Sequence, residues 1–449
     1  MKLPQSRPRL LYIALERRPP VRAVWATVWR TQRRALALLR RYTPLVTWLG
    51  VLGPGIIAAN AGNDAGGIAT YASAGAAYGY RLLWVLLLVT ISLVVVQEMS
   101  ARMGAVTGKG LSDLIRERFG IRWTVLAMLG LLVANAGVAI SEFVGIAAAG
   151  DLFGIPRWLI VPLAALLLWA LVVFGSYRSA ERVFLGFTFV FFAYPIAAWL
   201  AEPRWTDVAH GLLVPTVQRD PGYIQMVIAL IGTTITPYMQ LFLQSATAEK
   251  GTSGDAIRRV RADAVIGAVF SDVVAFFIIV ATGATLFVRG IAVETAADAA
   301  RALEPLAGSA ASALFGLGLF GACMLAGVVL PLTTAYSLCE AFGFEKGISR
   351  RFREAPVFMG IFTGLIALGA VVALIPDLPI IPVLIAIQVL NGMLSPIVLI
   401  SALRLSNDPE VMGNHRNGPL FNAIATVTVL VIIALTLALL GMTVADLTR

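Results

Sequence analysis

Apolar runs of about 20 residues, the length that spans a bilayer as a helix, recur along the whole chain with short polar connections between them. A sliding window marks eleven spans, near 45–78, 82–103, 123–150, 157–175, 180–201, 222–248, 262–288, 311–341, 356–376, 378–404 and 417–445. The pattern predicts an all-α integral membrane protein, and no soluble domain of appreciable size fits between the spans.

Two of the spans are interrupted. The first reads GPGIIAANAGNDAGGIATYASAGAAYGYRLLWVLL from Gly53 to Leu87 and is broken by Asn63-Asp64-Ala65-Gly66-Gly67. A carboxylate at bilayer depth costs at least about 2.5–3.5 kcal/mol, and loosened backbone is tolerated there only when it is buried or lines a wet cavity. Asp64 is therefore expected to hold a cation. Five spans later, Gly232-Thr233-Thr234-Ile235-Thr236-Pro237-Tyr238-Met239-Gln240 interrupts the sixth. Pro237 lacks a backbone donor and crowds the Thr233 carbonyl, so that turn should open. Breaks at matching places in two five-helix halves point to an inverted-repeat transporter with its site at the midplane. The expected architecture is a LeuT-type inverted repeat of 5+5 transmembrane helices plus an eleventh, with helices 1 and 6 unwound. The first repeat runs from about 44 to 201, the second from about 222 to 404, and the extra helix from about 417 to 445, so that 44–449 forms one transporter domain.

Composition supports this class: 59% of residues are hydrophobic, 13% are charged, and the mean hydropathy is +0.84. The formal net charge of +10 does not indicate a nucleic-acid partner, because residues 1–43, with Lys2 and ten arginines against Glu16 alone, account for all of it. Such an arm before the first span is attracted to anionic lipid headgroups and marks the cytoplasmic side. A cleaved targeting segment is the other reading of the arm. With the N-terminus inside, the Lys- and Arg-rich loops that carry Arg116, Arg182, Arg258 and Arg350 also fall inside, and Arg449 falls outside. The expected location is the plasma membrane. Cys323 and Cys339 lie in or at the end of one apolar segment and read as packing residues.

At the interrupted spans the chain resembles the NRAMP family of divalent-metal transporters, over most of residues 45–415. After the start Gly53-Pro54-Gly55, Asp64-Ala65-Gly66-Gly67 stands where the family has Asp-Pro-Gly-Asn, and Tyr78-Gly79-Tyr80 and Leu82-Leu83-Trp84 continue the match. Gln97 to Arg118 is similar to the stretch after the family's second span, Phe242-Leu243-Gln244-Ser245-Ala246 to its Tyr-Leu-His-Ser-Ala, Phe315-Gly316-Leu317-Gly318-Leu319 to its eighth span, and Val411-Met412-Gly413 to the segment after its tenth. The resemblance implies alternating access by rocking of spans 1, 2, 6 and 7, a divalent ion as substrate, and no cofactor.

The departures bear on the substrate. In the metal-importing branch, an Asp, an Asn, a Met thioether from a Met-Pro-His motif and two backbone carbonyls surround a largely dehydrated metal. Here the Asn is Gly67 and the motif reads Thr236-Pro237-Tyr238, with Met239 displaced by a one-residue insertion before Phe242. Losing the sulfur removes the bias toward transition metals, and Mg²⁺ keeps several waters while binding one or two carboxylates. One Asp, an emptied Gly67 position and the hydroxyls of Thr233, Thr234 and Thr236 suit a hydrated ion. The pattern resembles the NRAMP-related magnesium transporters. The expected ligand set is Asp64 for charge, the Ala61 and Thr233 carbonyls, and Thr236 and Gln388 toward the ion's waters, Gln388 matching the family's span-ten Gln.

Candidate pathway or coupling residues are Thr234, Tyr238, Glu142, Asp272 and Asn391. The family's span-three Asp is Ala139, its span-six His is Tyr238, and residues 357–375 carry no charge. Uncoupled uptake of Mg²⁺ and Mn²⁺ is therefore expected, against proton-coupled Mn²⁺ or Fe²⁺ import as the alternative. Glu142 also reads as a structural carboxylate and Asp272 as a structural pair or a residue of the cytoplasmic exit. Glu98 reads as a gating or interfacial contact, and 249–263 as solvated surface. A sodium-coupled amino-acid or solute symporter would share the architecture but presents bare glycine amides where Asp64 stands. No Ser/His/Asp set or phosphate loop suggests an enzyme.

Overall fold

The computed structural model describes residues 62–174, 192–249, 255–347, 350 and 352–447. These lie in one compact unit, Gly53–Arg449; the other unit, Met1–Leu52, holds the basic arm and lies outside the described residues. Among the described residues the structure is all-helical, and eight helices are long and apolar enough to cross a membrane.

The first helix, α1, is Ala65–Tyr78, followed by α2 (Leu83–Thr107), α3 (Leu111–Leu152), α4 (Arg157–Val173) and α5 (Ala193–Leu200). The interrupted sixth span forms α6 (Pro221–Thr234) and α7 (Pro237–Glu249). Then come α8 (Asp255–Thr282, continued by a π turn at Gly283–Phe287), α9 (Ala311–Phe342), α10 (Pro356–Ala373), α11 (Ile380–Asn407) and α12 (Pro419–Leu447). The third span differs from expectation by one feature: α3 begins twelve residues early because an interfacial leg precedes a kink at Gly120, whose φ of 73° no helix interior adopts. The starts of spans one and five, 45–61 and 180–191, lie outside the described residues.

Polarity is arranged inside out relative to a water-soluble protein. Leu163 and Leu166 on α4 and Leu437 on α12 are 62, 61 and 63% exposed, whereas Asp64, Gln97, Glu142, Gln388 and Asn391 are each 1% exposed or less. Lipid is as apolar as leucine, so the exposed leucines carry no penalty, and association relies on close packing and buried polar contacts instead.

Close packing explains the small residues of α1, AGGIATYASAGAAY. α1 lies against α8 so tightly that a Cβ on Gly75 would fall 1.9 Å from Thr282 Oγ1 and 2.5 Å from the Ile279 carbonyl oxygen. α6 meets α11 in the same way: a Cβ on Gly232 would come within 2.0 Å of the Gln388 carbonyl oxygen and 2.5 Å of Gly392 N. α3 packs most extensively on α9, and α7 and α8 both lie on α2. Both broken helices are thereby pinned to long unbroken neighbours.

Gly75→Val should lower the melting temperature of the detergent-purified protein by several degrees, since overpacking a tight contact costs about 1–3 kcal/mol. Gly364→Ala on α10, where an added Cβ meets no atom within 4 Å, should leave it unchanged or raise it. Equal behaviour of the two variants in a thermal-shift assay would contradict this packing account.

Candidate functional site

Asp64 caps α1. Its backbone is extended (φ −74°, ψ −179°), its Oδ1 accepts the Gly67 N–H at 2.6 Å, and its carbonyl accepts the Ile68 N–H at 3.0 Å. The helix N-terminus thus stabilises a carboxylate that is fully buried. Its second oxygen, Oδ2, has no hydrogen-bond partner among the described residues. Asn63, immediately before it, is 1% exposed with both amide atoms equally unpartnered among those residues, a feature the sequence reading passed over as part of the break.

The second break faces the first. α6 ends at Thr234, Ile235 turns out of the helix (φ −105°, ψ 59°), and α7 restarts at Pro237, as expected of a proline that can only begin a helix here. Thr233 and Thr236 are fully buried, and their hydroxyls lack partners among the described residues. Thr234 behaves otherwise: its Oγ1 lies 3.0 Å from the Tyr71 hydroxyl. Tyr71 was not singled out from sequence, although its place two helical turns after Asp64 sets it on the same face of α1.

At Gly67, where no side chain stands, atoms of the two breaks come close. A Cβ there would fall 2.9 Å from the Gly62 carbonyl oxygen, 3.0 Å from Thr233 Oγ1 and 3.2 Å from Asp64 Oδ1. Lacking a side chain, Gly67 lets a carbonyl, a hydroxyl and a carboxylate oxygen close around one point. Gly66 does the same for α11, because a Cβ on it would fall 2.0 Å from Gln388 Nε2. Gln388 Nε2 lies 3.4 Å from Asp64 Oδ1; Asn391 Nδ2 donates to the Gly232 carbonyl at 3.0 Å and to Gln388 Oε1 at 3.3 Å. The Asn391 and Gln388 amides of α11 therefore tie the end of α6 to the start of α1.

The remaining candidates surround this cluster. Glu142 of α3 is buried, accepts from Ser141 Oγ at 3.1 Å, and has the Ala65 backbone and the Cys323 thiol nearby. Tyr238 is fully buried at the start of α7. Asp272 of α8 is buried with Thr90 and Tyr71 as polar neighbours. Met239 packs against Gly62 with its methyl nearer than its sulfur, at 2.6 against 3.4 Å from a Cβ built on that glycine. Ala61 lies outside the described residues. Among those residues no group of three or more His, Cys, Asp or Glu converges.

One peripheral expectation changes. Glu98 is buried and ion-paired to Arg102 (3.0 Å) and Arg261, while Arg102 also donates to the His415 carbonyl and Asn417. The stretch 249–263 is thus more than solvated surface, because its Arg261 reaches a buried acid. Cys323 and Cys339 are free and buried, as read.

The model of the Nramp family, described as natural resistance-associated macrophage protein-like, matches residues 55–441. The divalent metal cation transporter MntH of Ralstonia nicotianae is 31% identical over 83% of this chain and 86% of its own. MntH of Bacillus subtilis is 33% identical over 60% of this chain and 66% of its own. Among solved structures, the Eremococcus coleocola manganese transporter in complex with an aromatic bis-isothiourea substituted compound superposes with a TM-score of 0.70 at 20% identity, covering 88% of this chain and 87% of that one. That likeness speaks to the fold, which is the LeuT-type arrangement expected from the two interrupted spans. The match over residues 55–441 places this chain in the Nramp family.

Proposed function

We propose that this protein carries divalent metal cations, chiefly hydrated Mg²⁺ and also Mn²⁺, into the cell by alternating access and without a coupled proton. The observation that carries the reading is the fully buried Asp64 carboxylate, whose Oδ2 has no hydrogen-bond partner among the described residues, beside the buried Thr233 and Thr236 hydroxyls of the second break. Carboxylate, carbonyl and hydroxyl oxygens suit Mg²⁺ and Mn²⁺, and Mg²⁺ in particular keeps waters that neutral donors can bind. The unpartnered Oδ2 of Asp64 supplies the charge attraction. The C-terminal end of α6, with the negative end of its helix dipole and the free Thr233 and Thr236 hydroxyls, faces the same place and favours a cation there. Gln388 and Asn391 hold the two breaks in register, so that a change at the ion is transmitted to α11. Tyr238 and Ala139 stand where the importers have titratable groups, and this supports uptake driven by gradient and membrane potential. The protein would sit in the plasma membrane with the basic arm at anionic cytoplasmic headgroups and Arg449 outside.

Proton-coupled Mn²⁺ import is the competing reading. The buried Glu142 and Asp272 favour it, as two carboxylates beside the breaks.

In proteoliposomes holding the purified protein and an internal pH dye, Mg²⁺ and Mn²⁺ should enter without acidification, and Mn²⁺ influx with acidification but no Mg²⁺ influx would establish the competing reading. Asp64→Ala should reduce influx of either ion at least about 100-fold, since losing even an outer-shell partner of a metal ligand costs about 10–100-fold; near-normal influx would remove Asp64 from the site. Gly67→Asn alone should impair transport, since its Cβ would sit 2.9 Å from the Gly62 carbonyl oxygen. Combined with Thr236→Met it should move preference toward Mn²⁺ or Cd²⁺, and an unchanged ratio of rates would place selectivity elsewhere.

A further inference from the structure

Two contacts fix how α7 runs along α2. Ser100 Oγ lies 3.4 Å from Gln240 Oε1, and a Cβ on Gly104 would fall 2.4 Å from the Gln244 carbonyl oxygen. Each pair is four residues beyond the last on both helices, so the two run in the same direction at a constant offset. One turn back along α2, Gln97 falls level with the start of α7, at Thr236 to Tyr238.

Gln97 is fully buried, and neither of its amide atoms has a partner among the described residues. Gln240 Nε2 likewise has no partner among the described residues, and buried Thr236 has the Tyr238 hydroxyl as its polar neighbour. Leaving a buried polar group unsatisfied costs about 1–3 kcal/mol, so such a concentration on facing helices points to a polar occupant. Turning the Gln240 amide lets Nε2 meet Ser100 Oγ and frees Oε1, so the pair can present an oxygen without losing its contact. The nearby acid, Glu98, is engaged by Arg102 and Arg261.

We propose that Gln97, Ser100 and Gln240, with Thr236, form a second, uncharged station for a hydrated divalent cation, next to the Asp64 site on the side toward Thr107 and Glu249. The inference rests on the transport function proposed above and deepens it, making this the first stop of an ion leaving Asp64 for the cytoplasm. Amide and hydroxyl oxygens replace part of the outer hydration while adding no charge, so the ion is held loosely enough to move on. A carboxylate in the same place would retain it.

The test uses the full chain in proteoliposomes with Mg²⁺ and Mn²⁺, alongside calorimetric titration of Mg²⁺ into detergent-purified protein. Gln97→Leu and Gln240→Leu should each lower maximal influx roughly ten-fold while the Mg²⁺ Kd stays within about three-fold, the signature of a step after binding. Gln240→Glu keeps a polar side chain and tests the station even if a leucine variant fails to fold; it should lower KM and maximal rate together. Wild-type maximal influx in both leucine variants, or wild-type KM and rate in Gln240→Glu, would overturn the station. So would loss of Mg²⁺ binding in step with transport, which would assign these residues to the packing of the Asp64 site. Persistent influx in Asp64→Ala would instead overturn the transport reading itself, so the two failures are distinguishable.

Discussion

The architecture turns on burying the Asp64 carboxylate inside a membrane. Asp64 receives the N-terminus of α1 and the Gln388 amide on one oxygen and leaves the other unsatisfied, with Thr233 and Thr236 hydroxyls equally unsatisfied beside it. A low-dielectric interior strengthens any attraction made there and penalises any group left without a partner. On the reading proposed above, a cation between these groups would satisfy them together.

Glycines make the arrangement geometrically available. Gly66 admits Gln388 to Asp64, Gly67 admits the Gly62 carbonyl and Thr233, and Gly232 brings the end of α6 onto α11. Each replaces a side chain with the backbone or a polar side-chain atom of another element, so the converging oxygens and amides come from four segments of chain. Gly75 anchors the outer part of α1 on α8 by the same means. Moving any one of these helices displaces donors on the others, which is how occupancy can be linked to a rocking motion.

The two breaks were legible in the sequence because a carboxylate and a proline inside apolar runs have few structural explanations. Gln388 and Asn391 were legible only through the family resemblance. The place of Tyr71 beside Thr233 and Thr234, with its hydroxyl 3.0 Å from Thr234 Oγ1, was not: it depends on the helical phase at which α6 ends, and residue type does not encode that phase. The missing side chain at Gly67 was legible, but the closeness of the Gly62 carbonyl and Thr233 hydroxyl to that position was not. Gln97 and Gln240 passed unnoticed because a glutamine in an apolar helix ordinarily reads as a packing hydrogen bond, and only the fold shows that Gln97 and the Gln240 amide nitrogen have no such bond among the described residues. Glu98 was placed at a helix end but its knot with Arg102 and Arg261 required the fold.

The central claim is that the ion rests between the two broken helices on Asp64. Anomalous diffraction from crystals soaked in Mn²⁺ tests it most directly. A principal peak bounded by Asp64 Oδ2, Thr233 and Thr236 is the predicted result; a principal peak at Glu142 or Asp272, with none beside Asp64, would contradict the account.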